Sequence, residues 1–587
     1  MTKEINASTE QQMIEAEAGD YLCNYLERFG VEYVYGIPGG ALEPFFNALA
    51  RSQLRNGLKL VVPCHESTAA FMADGYWRQS GRLAVCCATT GPGATNLITS
   101  VASAYENKIP MLILTAQTSL HNSGHGAFQD SSCTGVNTVE MFRYCTRYSS
   151  LVSHVAQLPR KLAIALMTAF GSAKGPVHLS IPVDVMRCKV ASEWFRLPVN
   201  DAQRSLALVD YAAVTKLLEE LAQGGKITLL LGPGSSGAMY ELLEFAEIYN
   251  TNIVTTPDAK GLINCNHHRY YGVIGFAGHA SAKTILSDGS DVVLVVGTNL
   301  SEWACTGWDV ARFRGRLLHL DICAENFAGT PYAHLHVLGD PAKTIELINA
   351  NMSGSGSSEA QLGENVIFFR QNSHLVMQDP HKFNAIDAPI KPQRLMRELA
   401  QHFPVNTRYF ADIGNSMAWA IHYLPVKERR HGNKRSSNSG LLHTVVGFGP
   451  MGWAIGAALG AALAYRDAPI ICITGDGSML MLGQEITVAV TEKLSVIFVV
   501  LNDGSYGMVK HGQQLNNAES IGHELPIVNF STWASSLGAD VYVIKKPDDF
   551  SNLDIEHICK RRLPTLLNVF VDGHEISPIS ERTKQLI

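Results

Sequence analysis

The feature that most limits what this chain can fold into is its rhythm. Short apolar runs, "LKLVVPC", "LAVCCATT", "PMLILTAQ" and "PVHLSIPV", alternate with helical patterns from about Ile14 to about Val190. Parallel strands covered on both faces read as near-continuous apolar runs. Strands separated by helical segments therefore predict βαβ units and a parallel sheet of short buried strands. The rhythm restarts near Leu206 with "KITLLLG", "NIVTT", "VVLVVG" and "RLLHLDI", and fades after "LHVLGD" into the Gly/Ser-rich "NMSGSGSSEAQLGEN", which has linker composition. A third block carries "RYFADIG", "PIICITGDG", "VIFVVLN" and "TLLNVFV". The expected domains are 1–195, 205–350 and 389–572, with a linker at 351–388 and a polar tail at 573–587. Two polar stretches, "KERRHGNKRSSNSG" and "KHGQQLNNAESIGHEL", read as surface or active-site loops.

A chain of 587 residues exceeds one hydrophobic core, which fits three such blocks. The net charge of −6, with no basic block, gives no support for nucleic-acid binding. The polar, acidic start "MTKEINASTEQQMIEAEAGDYL" resembles neither a signal nor a transit peptide. The most apolar run, "GPMGWAIGAALGAALAY", is too short to span a bilayer and reads as a tightly packed buried helix, so no membrane is expected. Twelve scattered cysteines without CxxC spacing point to reduced, mostly buried thiols in a cytoplasmic protein, with Cys86 and Cys87 in a core strand.

Glycines punctuate the ends of several strand-like runs. Gly232-Pro-Gly234-Ser-Ser-Gly237 follows a strand and matches GxGxxG, but Pro233 inside the turn favours a plain strand-to-helix turn over a dinucleotide site. The turn Gly91-Pro-Gly93 opens a helix whose free N–H groups suit an anion. Glu66 follows a strand and begins "STAAFMADGY", where its carboxylate could simply serve the helix dipole. The third block is more telling. Asp476, in Gly475-Asp476-Gly477, and Asn502 stand at the C-terminal tips of two strands. Ligands of open parallel sheets bind outside those tips. Both residues are hard oxygen donors suited to Mg²⁺ or Ca²⁺, and glycines beside them allow backbone to approach phosphate oxygens. Together they read as a metal–diphosphate site.

The run from Gly475-Asp476-Gly477 to Asn502 resembles the thiamin-diphosphate binding motif. "HES" at His65 to Ser67, "GPGATN" at Gly91 to Asn96 and "GFGPMG" at Gly447 to Gly452 fall in the order of that family, and the likeness spans nearly the whole chain. Within it the chain is similar to the acetolactate synthase group. The resemblance implies an α/β fold of three doubly wound parallel-sheet domains: pyrimidine-binding, central and diphosphate-binding. It implies Mg²⁺ held by the Asp476 and Asn502 side chains and the Gly504 carbonyl. Gly475, Gly477 and Ser478 would line the diphosphate, with Met451 as the apolar wedge that bends the cofactor. Pro38, Gly39, Gly91, Asn96, Asn415, Gly449, Tyr506, Gly507 and Met508 complete the implied cofactor contacts. Glu66 resembles the glutamate that hydrogen-bonds the aminopyrimidine N1′, a role that displaces the helix-dipole reading. The family also implies a homodimer with each site shared across the interface, and tetramers are common in it.

The cofactor does not choose the reaction. "GAFQDSS" places Phe128 and Gln129 like the Phe-Gln pair of acetolactate synthases. Gln117 resembles that group's glutamine after "ILTAQ". "VNTVEMFRYCTRYSSLV" resembles its DTV–MF–TKY pattern, with Arg147 in place of the usual lysine. The loop after Gly93 lacks the adjacent histidine pair of pyruvate decarboxylases. His267-His268 lies in the middle block and is expected at the surface, and His121 and His125 are not adjacent. These features favour a carboligase joining the acyl carbanion of a 2-oxo acid, with pyruvate as expected donor, to a second 2-oxo acid, aldehyde or ketone. A decarboxylase releasing aldehyde and a non-catalytic partner subunit are the alternatives. The chain departs from the group in two places. Gly512 stands where biosynthetic synthases carry a tryptophan, which would leave room for a bulkier acceptor lined by Val509, His511, Gln513 and His125. "GTNLSEW", Gly297 to Trp303, lacks the arginine of the flavin-binding "GARFDDR", so tightly bound FAD is not expected.

Overall fold

The computed structural model describes residues 16–199, 208–353, 374–428 and 440–579. These fall into two compact units, one carrying the first of three six-stranded sheets and the other carrying the second and third.

The first sheet contains β1 (Tyr33–Gly36), β2 (Lys59–Val61), β3 (Val85–Ala88), β4 (Met111–Gln117), β5 (Tyr148–Leu151) and β6 (Pro176–Pro182). Their order is β2-β1-β3-β4-β6-β5, with every neighbouring pair parallel. β3, β4 and β6 are buried along their whole length, as their apolar runs predict, and Cys86 and Cys87 lie fully inside. "LKLVVPC" corrects the expectation of a buried strand. β2 is an edge strand with Lys59 exposed, because only one neighbour covers it.

The second sheet contains β7 (Ile227–Leu231), β8 (Asn252–Thr255), β9 (Tyr270–Val273), β10 (Val292–Val296), β11 (Arg316–Asp321) and β12 (Leu335–Leu338). Read as β9-β8-β7-β10-β11-β12, this is the 3-2-1-4-5-6 order of dinucleotide-binding sheets. The third contains β13 (Arg408–Ala411), β14 (Leu442–His443), β15 (Ile470–Gly475), β16 (Val496–Asn502), β17 (Asp540–Ile544) and β18 (Thr565–Phe570). Its order, β14-β13-β15-β16-β18-β17, repeats that of the first sheet. The strand order therefore reverses between β1 and β3, between β7 and β10, and between β13 and β15. Those are the places where an open parallel sheet leaves a crevice.

The Gly/Ala-rich run forms a helix, Trp453–Ala464, with Trp453, Ala454, Ile455, Ala457, Ala458 and Leu459 fully buried. Among the described residues no helix is long and apolar enough to cross a membrane. Two sequence expectations are corrected. Asn351 to Ser353, read as linker, end the helix Pro341–Ser353, and "KHGQQL" is the C-terminal part of a helix, Gly507–Leu515. In both places a preceding helical turn carries on through polar residues, which local composition cannot reveal. The rest of the Gly/Ser-rich segment as far as residue 373, and residues 429–439 of "KERRHGNKRSSNSG", lie outside the described residues.

Candidate active site

The tips of β13, β15 and β16 surround a cavity of ≈ 250 Å³. Asp476, the first residue of the helix Asp476–Leu482, is 3% exposed. Its Oδ1 accepts from Gly477 N–H at 2.8 Å, and its Oδ2 from Gly504 N–H at 2.7 Å and Asp503 N–H at 3.2 Å. A carboxylate offers about four acceptor positions, so one remains. Burial, then the nearby Asp503 carboxylate, pushes the Asp476 acid up to about 6. Asp503 is itself raised by burial. A buried and a half-buried acid in one wall make a pocket that favours a cation.

Asn502 ends β16 and donates from Nδ2 to Asn568 Oδ1 at 3.0 Å, while Asn568 Nδ2 donates to Ser531 Oγ at 3.2 Å. This relay occupies the amide nitrogen of Asn502 and leaves Oδ1 as its ligand atom. Gly504 sits at φ +68°, and its carbonyl accepts from Leu525 N–H at 2.9 Å, leaving the second lone pair. A Cβ at Gly475 or Gly504 would meet nothing within 4 Å, so open space flanks the acid. A Cβ at Gly477 would strike the Tyr506 ring at 2.5 Å and reach Met451 at 3.3 Å. The expected cofactor residues Asn415, Gly449, Met451, Gly475, Gly477, Ser478, Tyr506, Gly507 and Met508 line this cavity with Asp476. The donor set is carboxylate, amide and carbonyl oxygen beside a glycine-lined space. It fits a hard divalent cation with a diphosphate.

The expected substrate-pocket residues separate. Val509 and His511 line the cavity. His511 is 1% exposed, and both its nitrogens are engaged. Nε2 donates to the Gly573 carbonyl at 3.2 Å, and Nδ1 accepts from Asn415 Nδ2 at 3.1 Å. Asn415 Oδ1 in turn accepts from Ser577 Oγ at 2.7 Å. Burial lowers the His511 pKa, in keeping with a neutral ring locked between these partners. A Cβ at Gly512 would meet nothing within 4 Å. Gln513 pairs with the Ile521 backbone, Nε2 to the carbonyl at 2.9 Å and Oε1 from the N–H at 3.3 Å, and so ties down the following loop.

The first unit holds a second group. Glu66 opens the helix Glu66–Ser80 behind the N-cap His65, half-buried, and its Oε2 accepts from Asn96 Nδ2 at 2.9 Å. Gly93 lies beside it: a Cβ there would sit 3.4 Å from Glu66 Oε1. Pro38 is exposed, and Gly39 packs so tightly on Thr89 that a Cβ would strike it at 2.5 Å. Gln117 ends β4. Its Oε1 accepts from Ser131 N–H at 3.1 Å, and Ser131 Oγ accepts from Gly91 N–H at 2.7 Å. Thr90 Oγ1 donates to Gln129 Oε1 at 3.2 Å, with Gln129 at φ +57°. One network therefore joins Gly91, Gln117 and Gln129, and Gln117 Nε2 is buried without a partner among the described residues. Phe128, by contrast, is 85% exposed, His125 lies in an exposed turn, and Arg147 places its guanidinium 4.6 Å from the Tyr105 ring centroid.

His267 corrects an expectation: it is fully buried, stacked on His268 at 4.9 Å, while Arg269 holds both oxygens of Glu247 beside the pair. "HH" beside "RYYGV" reads as polar surface only when the half-buried partner Glu247 is unknown. Sequence reasoning missed Asn568, Ser131 and Asp412. Asp412 had the same signal as Asp476, an acid at the end of an apolar strand in "RYFADIG".

Three thiamine pyrophosphate enzyme family models match the chain: the N-terminal TPP binding domain over residues 16–137, the central domain over 214–348 and the C-terminal TPP binding domain over 412–569. The chain is 31% identical over 517 residues to a probable acetolactate synthase large subunit of Methanococcus aeolicus, covering 84% of this chain and 81% of that one. The corresponding protein of Methanocaldococcus jannaschii is 29% identical, covering 96% and 93%. Acetolactate synthase isozyme 3 large subunit of Escherichia coli is 28% identical, covering 93% of each. With its three parallel sheets and an acid–amide pair at the crevice of the third, the chain belongs to the thiamine pyrophosphate enzymes, in the acetolactate synthase-like group.

Proposed function

We propose that this protein decarboxylates a 2-oxo acid, with pyruvate as donor, and joins the acyl unit to a second 2-oxo acid or an aldehyde. The observation that carries the reading is buried Asp476 lining an open, glycine-lined crevice, with half-buried Asn502 at the tip of the neighbouring strand β16, in a chain of acetolactate synthase-like sequence. Thiamin diphosphate, when bound, supplies the carbanion stabilisation that lets a 2-oxo acid lose CO₂. The chain's own residues bind, orient and hold protons. Asp476, Asn502 and the Gly504 carbonyl are assigned to Mg²⁺, and Gly475, Gly477 and Ser478 to the diphosphate. Met451 is assigned to shaping the cofactor, and Glu66 to holding a proton at the aminopyrimidine. Gln117 Nε2, buried and unpaired among the described residues, is available to a substrate oxygen; an unmade buried hydrogen bond costs about 1–3 kcal/mol. Gln129, Phe128 and Arg147 are assigned to the substrate side.

The proposal extends to a cytoplasmic homodimer, or a tetramer built from it, with Glu66 and Asp476 of one site coming from different subunits. The domain limits 1–195, 205–350 and 389–572 go with it. Tightly bound FAD is not part of the proposal, and the purified protein should be colourless. Open space at Gly512 supports a bulkier acceptor than pyruvate. Incubation with pyruvate, Mg²⁺ and thiamin diphosphate, alone and with a panel of 2-oxo acids and aldehydes, followed by mass spectrometry, tests the reaction. Hydroxy-keto ligation products support it, and aldehyde as sole product would instead establish a simple decarboxylase. Gly512→Trp should shift competition assays away from large acceptors.

A further inference from the structure

Asp412 is fully buried just past the end of β13, and no role is yet assigned to it. Its carboxylate gathers donors from three separate segments. Oδ2 accepts from Gly452 N–H at 2.8 Å and Thr474 Oγ1 at 3.2 Å, and Oδ1 from Ala454 N–H at 3.2 Å. The Ser478 hydroxyl bonds it as well. Gly452 closes the turn that carries Gly449 and Met451, and Ala454 lies in the first turn of the helix Trp453–Ala464. Thr474 immediately precedes Gly475-Asp476-Gly477, and Ser478 follows it. One carboxylate thus fastens the turn bearing the apolar wedge to the strand end and helix bearing the acid.

The chemistry suits an anchor better than a reactant. The charge is met by backbone N–H groups at a helix N-terminus and by two hydroxyls, each of which stabilises an anion. Burial pushes the Asp412 acid above the usual carboxylate range, so its ionised form depends on these donors. The backbone of Asp412 is pinned too: its N–H donates to Ile473 O at 2.9 Å, and its carbonyl accepts from Ser416 Oγ at 2.8 Å. A hydrogen-bonded carboxylate this deep costs too much to persist as an idle surface feature.

The geometry points to Asp412 as a positioning residue that sets the spacing between the Met451 turn and the Asp476–Ser478 edge, and so presets the crevice for Mg²⁺ and the diphosphate. This rests on the assignment of that crevice to thiamin diphosphate. Asp412→Asn keeps the shape but removes the charge and turns an NH2 donor either toward Ala454 N–H or toward Gly452 N–H and the Thr474 hydroxyl. Thr474→Val removes a single donor at nearly constant volume.

The test is equilibrium binding of thiamin diphosphate in Mg²⁺, followed by intrinsic fluorescence. Apo-protein melting temperature and kcat at saturating cofactor are measured alongside. Asp412→Asn should weaken binding by about tenfold or more and lower kcat, with an unchanged substrate KM. Thr474→Val should weaken it about threefold. The double variant should be no worse than Asp412→Asn alone, because both act through one contact. If Asp412→Asn does not fold, Thr474→Val carries the test. Wild-type affinity in these folded variants, or a lowered apo melting temperature with unchanged affinity, overturns the inference. Failure of the wild-type protein to bind the cofactor would overturn the assignment of the crevice instead.

Discussion

The second and third sheets each place glycines where the strand order reverses, and the two crevices differ in what those glycines face. Between β7 and β10, Gly232 and Gly234 donate N–H bonds to the carbonyls of Val296 and Gly297, both at 2.9 Å. A Cβ on Gly297, which sits at φ +67°, would lie 2.5 Å from the Gly234 backbone. The chain's own backbone fills that crevice, and Pro233–Ala238 closes into a 3₁₀ turn. Between β13 and β15, Gly475 faces open space and Asp476 stands beside it. The same residue type serves close packing in one sheet and leaves open space in the other. A Gly-rich signature after a strand therefore says little until an acid or amide at the same tip shows which use applies.

The sharpest way to break the comparison is to remove the acid. Asp476→Ala should weaken Mg²⁺-dependent cofactor binding by at least about 100-fold and abolish measurable turnover, since the metal loses its only carboxylate among the assigned ligands. Calorimetric titration checks this. Asn568→Ala, which frees the Asn502 amide to rotate, should cost about 10–100-fold in Mg²⁺ affinity, read from the Mg²⁺ dependence of activity.

Two glycine variants then set the crevices against each other. Gly297→Ala puts a Cβ at positive φ against backbone and should destabilise the fold by more than about 1 kcal/mol. In a domain this size that is a melting-temperature loss of roughly 2–4 °C per kcal/mol. Gly475→Ala should leave the melting temperature unchanged but weaken cofactor binding by about tenfold, or 1.4 kcal/mol. Equal behaviour of the two variants would erase the distinction.

The smallest effect is on acid stability. His319, on β11 of the closed sheet, is fully buried, with Nδ1 2.7 Å from Thr330 Oγ1, Asp321 Oδ2 3.9 Å from Nε2, and His336 nearby. Burial, then His336, pushes its pKa down to about 4. The unfolded histidine binds a proton more readily, so its contribution is complete above about pH 6.5 and is lost as pH falls toward 4. The loss is about 1 kcal/mol between pH 7 and pH 5.5. Urea unfolding at the two values should show it, and His319→Gln should reduce the difference.

Much of this was legible in the residue order. The continuous apolar runs of β4, β6, β10, β15 and β16 announce buried parallel strands, and the acid and amide at two neighbouring strand tips, Asp476 and Asn502, announce the place proposed for a cation. β5 and β17, with "YSSL" and "DVYVI", were not legible, because edge strands carry polar residues that only pairing with β6 and β18 explains. The pocket reading of His511 and Gln513 met the same difficulty. Their side chains were legible as polar, but the Gly573 and Ile521 carbonyls they serve arrive from distant or irregular backbone. Asp412 was readable in kind and missed, since a single acid at a strand tip gains meaning only from the turns it gathers.

The most direct test of the open crevice is a titration of thiamin diphosphate into the wild-type protein with and without Mg²⁺, repeated with Asp476→Ala and Gly297→Ala. Mg²⁺-dependent binding that disappears in Asp476→Ala and persists in folded Gly297→Ala is the predicted result. Binding that ignores Asp476, or that is lost only when the central sheet is altered, would contradict it.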